Sequence, residues 1–302
     1  LKKKVLGFST LLSFLILFVL PFVSEATLLE NIPLDSWVYS TIDELYSQGL
    51  FGKLHRNVKP YTRGEIASYI LEINLEQKRH QLELTESQLW LLQKLNQEFH
   101  FEIEELYQKR DENEDRPILK YGTGPVFFIK TAGDDSSYGR LQAKFDAALQ
   151  LGKRLVLKDR VIIDTKAEKE RRYWAREWKG GLAGVLDIAY AQIDLKYFYL
   201  LLGRDHLRWG PGMRDVLLLS DLIPPFDMLK LEGKLGSFKF TYFTTVLDQI
   251  EVHTIQESGD PSSGFIAKRY LSGHRINLKL EFGLEMGISE VVLYGGQNRD
   301  VE

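Results

Sequence analysis

The sequence has 302 residues, of which 44% are hydrophobic, 27% charged and 12% aromatic, with a formal net charge of −3 and no cysteine. That length suits one large domain or two. The absence of a basic excess argues against a nucleic-acid partner, and the absence of cysteine excludes a thiol nucleophile, a Cys-ligated zinc site and a disulfide framework.

In chain order, Lys2-Lys3-Lys4 followed by the apolar run Val5 to Val23 and the small residue of Ser24-Glu25-Ala26 predicts a secretory signal peptide over residues 1–26. The competing reading is an uncleaved anchor, since the run approaches the ~20 residues that span a bilayer. Residues 28–112 read as a helical domain. Asp35 or Ser36 is expected to cap a first helix with an inward face of Val38, Ile42, Leu45 and Tyr46, stopped at Gly49. Thr62-Arg63-Gly64-Glu65 has capping-box spacing, with Thr62 and Glu65 satisfying each other's amides, and opens a helix carrying Ile66, Tyr69, Ile70 and Ile73. Thr85 to Gln88 opens a third in the same way, with a stripe of Leu89, Leu92, Leu95, Phe99, Ile103 and Leu106. The charged run Asp111 to Arg116 is the expected boundary.

From Pro117 the period changes to two. Leu141, Ala143, Phe145, Ala147, Leu149 and Leu151 alternate with Arg140, Gln142, Lys144, Asp146 and Gln150. Ile276, Leu278, Leu280 and Phe282 alternate with Asn277, Lys279 and Glu281. In a soluble sandwich the apolar face would meet a core; in a membrane barrel it meets lipid and the charged face lines the lumen. Nine strands are expected, near 122–132, 139–150, 154–164, 182–195, 198–205, 227–234, 238–247, 272–282 and 285–294. Tight turns near Gly152-Lys153, Lys196-Tyr197, Leu235-Gly236 and Gly283-Leu284 alternate with long connections at Thr165–Gly181, His206–Phe226 and Asp248–Leu271. Short turns on one side and long loops on the other are the pattern of outer-membrane barrels, with the helical domain on the periplasmic side. The fold class expected is therefore α+β: a helical domain over 28–112, then an antiparallel transmembrane β-barrel over 117–302. Nine is odd and single-chain bacterial barrels are even and closed, so the barrel is expected to be incomplete, an open sheet from a chain truncated at its C-terminus.

No catalytic constellation stands out. There is no His-Glu-x-x-His, no phosphate-binding loop and no Gly-x-Ser-x-Gly, and the histidines at 55, 80, 100, 206, 253 and 274 are scattered. No catalytic residue, metal ligand or cofactor is assigned, and no enzyme activity is expected. The ligand-contact candidates are Arg204, Asp205, Arg208 and Trp209, because an arginine fork suits carboxylates or phosphates and an indole offers a flat face to a sugar ring. A structural Arg-Asp pair with Trp209 buried in the wall is the competing reading. A second basic-aromatic cluster, including Arg172, Trp174 and Trp178, falls on an expected outside loop.

The run Gly203-Arg204-Asp205-His206-Leu207-Arg208-Trp209-Gly210-Pro211-Gly212, then Leu217-Leu218-Leu219-Ser220-Asp221 and Pro224-Pro225-Phe226-Asp227, resembles the capsule assembly protein Wzi family of outer-membrane barrels. The resemblance implies a lectin-like, non-enzymatic protein that binds exported polysaccharide and helps assemble or retain capsule at the cell surface. Capsular or other exported polysaccharide and outer-membrane lipid are the implied partners. Trp37-Val38-Tyr39, Ile42, Leu45, Gly49-Leu50 and Pro60 to Ala67 are also similar to a single S-layer homology repeat, which implies a cell-wall polymer partner through residues 33–73. Two rivals follow: a porin tethered to the wall through that repeat, and a soluble periplasmic carbohydrate enzyme.

Overall fold

The computed structural model describes residues 27–108, 118–131, 137–165, 177–179, 182–211, 216, 218–220, 223–252, 265–280 and 283–296. The expected signal peptide and the charged run at 111–116 lie outside them.

Among the described residues four helices come first: α1 (Val38–Ser47), α2 (Arg63–Lys78), α3 (Glu86–Glu98) and α4 (His100–Gln108). Their apolar stripes meet in one core that includes Ile42, Leu45, Tyr61, Ile66, Ile70, Leu95 and Phe99. α1 stops where expected, with Gly49 at φ +93, a left-handed backbone that glycine adopts without a Cβ clash. Of the two expected caps for α1, Ser36 is the one engaged: its Oγ accepts from the Val38 N–H at 3.3 Å, while Trp37 holds the cap position without a side-chain bond and the Asp35 carboxylate is turned to Lys144 and Arg160. At α2, Thr62 Oγ1 accepts from the Glu65 N–H at 3.1 Å, but Glu65 does not reciprocate; its carboxylate faces Lys234 and Lys239 instead. The Thr85–Gln88 box forms in full, with bonds of 2.9 and 3.3 Å. The single third helix expected from the sequence is two. The Arg63 guanidinium binds the Glu98 carbonyl at 2.8 Å, and the chain breaks at Phe99 before α4 begins.

The strands β2 (Ile118–Thr131), β3 (Ser137–Leu151), β4 (Leu155–Asp164), β6 (Leu182–Asp194), β7 (Phe198–Asp205), β9 (Phe226–Leu235), β10 (Phe238–Val252), β11 (Phe265–Lys279) and β12 (Glu285–Gly296) form one antiparallel sheet in chain order. These are the nine expected strands. Three short ones lie outside that count: β1 (Val58–Lys59), β5 (Glu177–Lys179), which pairs with β6, and β8 (Arg208–Trp209). β11 begins seven residues before its expected start at 272, so the connection preceding it is shorter than the sequence suggested. The tight turns fall where expected, with Gly152, Lys196, Gly236 and Gly283 all at positive φ. Among the described residues β2 and β12 each pair on one side only, so the sheet is open.

The sheet is apolar outside and charged inside. Leu235 and Ile288 are 79% and 80% exposed, and Leu202, Val246, Ile266 and Val292 are exposed on the same outer face. Lys158, Arg160, Lys230, Glu232, Lys239, Asn277 and Lys279 are buried. A water-soluble sheet has the reverse distribution. Among the described residues no helix is long and apolar enough to cross a membrane.

Candidate functional site

The charged face of the sheet is buried because the helical segment sits on it. Each charged wall residue needs a partner there, since an unpaired buried charge is costly. Glu30 receives Lys158 at 2.7 Å and Lys120 at 3.5 Å. Asp35 receives Arg160 at 2.9 Å and Lys144. Arg160 and Lys158 also share Asp146, at 2.7 and 3.2 Å. At the other flank, Lys279 Nζ donates to Tyr46 Oη at 2.8 Å and to the Leu54 carbonyl at 3.1 Å. Glu285 accepts the Arg56 N–H at 3.0 Å. Between them, Lys234 donates to Tyr69 Oη at 2.7 Å, and Gln192 Nε2 to the Leu29 carbonyl at 2.8 Å. Most of these wall residues lie within a few positions of the tight turns, so the helical segment occupies the turn end of the sheet.

The connection after β7 folds inward. β8 pairs antiparallel with β1 of the helical segment, Trp209 opposite Val58 and Arg208 opposite Lys59. The Gly210 N–H donates to the Asn57 carbonyl, and the Trp209 N–H to the Leu219 carbonyl. The Trp209 ring packs edge-on against Phe243 at 5.3 Å, within a second core that joins Leu29 and Val58 to wall residues Val156, Ile188, Leu201 and Met228.

This fixes the candidate residues. Asp205, Arg208 and Trp209 are 2%, 5% and 1% exposed. Asp205 accepts from Asn31 Nδ2 at 2.8 Å, and the Asn31 N–H donates to Tyr190 Oη at 2.8 Å. All three belong to the seam between wall and helices. Arg204 points to the opposite face, where it pairs with Asp227 and donates to the Leu186 carbonyl at 3.2 Å. Strand alternation separates Arg204 from Asp205, so the four do not form one surface. Arg172 and Trp174 lie outside the described residues, as does the Trp178 side chain, although the Trp178 backbone is in β5.

Electrostatics ties the seam together. Burial alone would raise the Glu30 carboxyl, but Lys158, Lys120 and Arg63 outweigh it and hold it well below the usual carboxylate range. Burial also opposes ionisation of Asp35, and Arg160 and Lys144 bring its pKa down to about 2. The Asp35 side chain is half exposed, so its pairs contribute less than those of Glu30. Sequence reasoning found Lys144 and Asp146 as inward-facing residues but missed Glu30, Asn31 and Asp35. The available signal was the uncompensated charge of the inward face, which required countercharges from elsewhere in the chain.

The model of the capsule assembly protein Wzi family matches residues 88–302. The chain belongs to the Wzi family. A solved Wzi structure from Escherichia coli, described as an outer membrane protein involved in group 1 capsule assembly and a carbohydrate binding beta-barrel, superposes with a TM-score of 0.53 at 15% identity. The match covers 90% of this chain and 55% of that one, so the chain spans little more than half the length of its structural relative. No curated protein matches the chain. The segment resembling an S-layer homology repeat precedes the matched region of the Wzi model. In the fold its Tyr39, Ile42, Tyr61, Arg63 and Ile66 are committed to the helical core and its ion pairs. The porin reading gains no support, since the charged face of the described sheet is occupied by the helical segment.

Proposed function

We propose that this Wzi-family chain forms an outer-membrane β-barrel wall that binds exported polysaccharide and helps assemble or retain capsule at the cell surface, without enzymatic chemistry. The sheet's reversed polarity carries the reading: exposed Leu202, Leu235, Val246, Ile266 and Ile288 suit contact with lipid tails, while the buried lysines and glutamates suit a lumen. The helical segment would lie on the periplasmic side as a plug, consistent with its seat at the tight-turn end. Polymer contact would fall to the Arg172, Trp174 and Trp178 cluster and, on the outer face at the loop end of β7 beyond the lipid-facing Leu202, to Arg204. Asp205, Arg208 and Trp209 would act by holding the wall to the plug.

The test uses the full-length protein from its native membrane. Unboiled and boiled electrophoresis of outer-membrane fractions should show a heat-modifiable band, and the purified protein should retain the strain's own surface polysaccharide while passing little current in planar bilayers. A soluble, heat-indifferent band would overturn the barrel. A steady wide conductance with no polysaccharide retention would overturn the lectin role.

A further inference from the structure

Between the helical segment and the wall lies a cavity of about 770 Å³. It falls within the 300–1,000 Å³ typical of ligand sites. One side is formed by Leu28, Leu29, the start of α2 and the end of α4; the other by the turn after β3 and the turn ends of β6, β7, β9 and β10. Most of the wall side comes from β6, β7, β9 and β10, in the middle of the sheet.

The lining has a definite chemistry. Four carboxylates, of Glu65, Glu105, Asp194 and Glu232, face three ammonium groups, of Lys153, Lys234 and Lys239. The inner ones form a chain of alternating sign: Lys230 to Glu232 at 3.7 Å, Glu232 to Lys239 at 2.9 Å, Lys239 to Glu65 at 3.8 Å and Glu65 to Lys234 at 3.5 Å. That chain leaves capacity unused. Glu65 Oε1 and Glu232 Oε2 are buried and meet only the distant ammonium groups of Lys234 at 3.5 Å and Lys230 at 3.7 Å, and the Lys239 ammonium, 1% exposed, spends its closest contact on Glu232 Oε1 at 2.9 Å and reaches Glu65 only at 3.8 Å. Buried acceptors and donors of this kind call for a partner. A simple anion would meet the carboxylates, and a simple cation the lysines. A polyhydroxylated molecule meets neither objection, because each hydroxyl donates once and accepts twice. The Tyr199 ring and Leu28, Leu29 and Leu106 supply apolar area for the C–H face of a sugar.

We infer that this cavity is a saccharide site at the turn end of the barrel, taking a short segment of the exported polymer between the plug and the wall. The inference rests on the proposed polysaccharide-binding function and adds a location: the polymer is met on the plug side of the protein as well as at the surface. Glu65 and Glu232 accept hydroxyl protons, Lys239 donates to hydroxyl or ring oxygens, and Tyr199 underlies the ring.

The lack of cysteine makes the test direct. Ser68 lines the cavity on an exposed position of α2, and Ser47 lies exposed on α1 outside it. Ser68→Cys and Ser47→Cys each place one new thiol in this stretch of the full-length protein, and labelling is read on the peptide that carries it. Maleimide labelling is followed with and without a size-fractionated partial acid hydrolysate of the strain's own surface polysaccharide. The expected result is at least tenfold slower labelling at Ser68→Cys and no change at Ser47→Cys. Ser68→Trp, which narrows the cavity without entering the core, should weaken hydrolysate binding at least tenfold and leave the heat-modifiable band intact. Retention of the polymer by the native protein with unprotected Ser68→Cys and unimpaired Ser68→Trp overturns the cavity site and leaves the proposed function standing. No retention by the native protein overturns both.

Discussion

Glu30 is the residue on which the seam between helices and wall depends most. It is buried, accepts from Thr27 Oγ1 at 2.5 Å, and neutralises Lys158, itself buried, at 2.7 Å. Glu30→Gln keeps the shape and removes the charge. Breaking a buried pair from one side costs about 3–5 kcal/mol. Lys158 retains Asp146 at 3.2 Å, so the lower end applies, about 3 kcal/mol, or roughly a hundredfold more frequent opening of the seam. Limited proteolysis of the full-length protein in detergent, in the regime where closing is faster than cleavage, reads that equilibrium. Cleavage within the helical segment should accelerate by about two orders of magnitude, with the heat-modifiable band unchanged. In Glu30→Gln/Lys158→Met both charges are gone, Asp146 keeps Arg160, and cleavage should return to within about tenfold of the native rate. An acceleration below about threefold for Glu30→Gln, or a double variant as loose as the two single changes added together, would refute the assignment of a buried charge pair.

Acid should loosen the same seam. The Glu30 and Asp35 carboxyls are depressed in the folded state, so their stabilisation is complete above the ordinary carboxylate range and is lost as pH falls through it toward the folded values, about 2 for Asp35. The protection factor of the Asn31 amide, its exchange relative to the intrinsic rate at each pH, should therefore fall between pH 5 and pH 3, and not between pH 8 and pH 6. Trp209→Ala removes a fully buried indole and should cost about 3–5 kcal/mol. The loss should appear as lost exchange protection at Val58 and Lys59, which pair with β8, with β9–β10 protection retained. Gly203→Ala would place a Cβ 2.3 Å from the Ala189 carbonyl at a φ of +132, so β6 and β7 cannot stay paired, and membrane fractions should lack the heat-modifiable band.

Much of the wall could be read from the chain. The alternation of Leu141 to Leu151 and of Ile276 to Leu280 gave strands and their two faces, because side chains on a strand point alternately to opposite sides, and glycines at 152, 236 and 283 marked the turns. What could not be read was contact between distant segments. Glu65 has capping-box spacing, yet tertiary lysines take its carboxylate from the helix terminus. Arg63 reaches Glu98 and Glu102 and divides what periodicity presents as one helix. Arg208 and Trp209 fall on an expected long connection and read as ligand contacts because a guanidinium and an indole look suited to a ligand. Their burial arises from β8 pairing with two residues some 150 positions earlier, which local pattern does not encode.

The span of these contacts bears on how the molecule comes together. Lys279 reaches Tyr46 and Leu54 across 233 and 225 residues, and Glu285 reaches Arg56 across 229. Contacts of such sequence separation form late, because the intervening loop must first be closed. The helices are synthesised before the strands and are held by local contacts, so they are ready while the sheet is still growing. Each hairpin of the wall is then added against a surface that already displays its countercharges. The countercharges of the helical segment match one register of the wall strands and not a shifted one, and a defect at Glu30 or Tyr46 should show first as slow assembly.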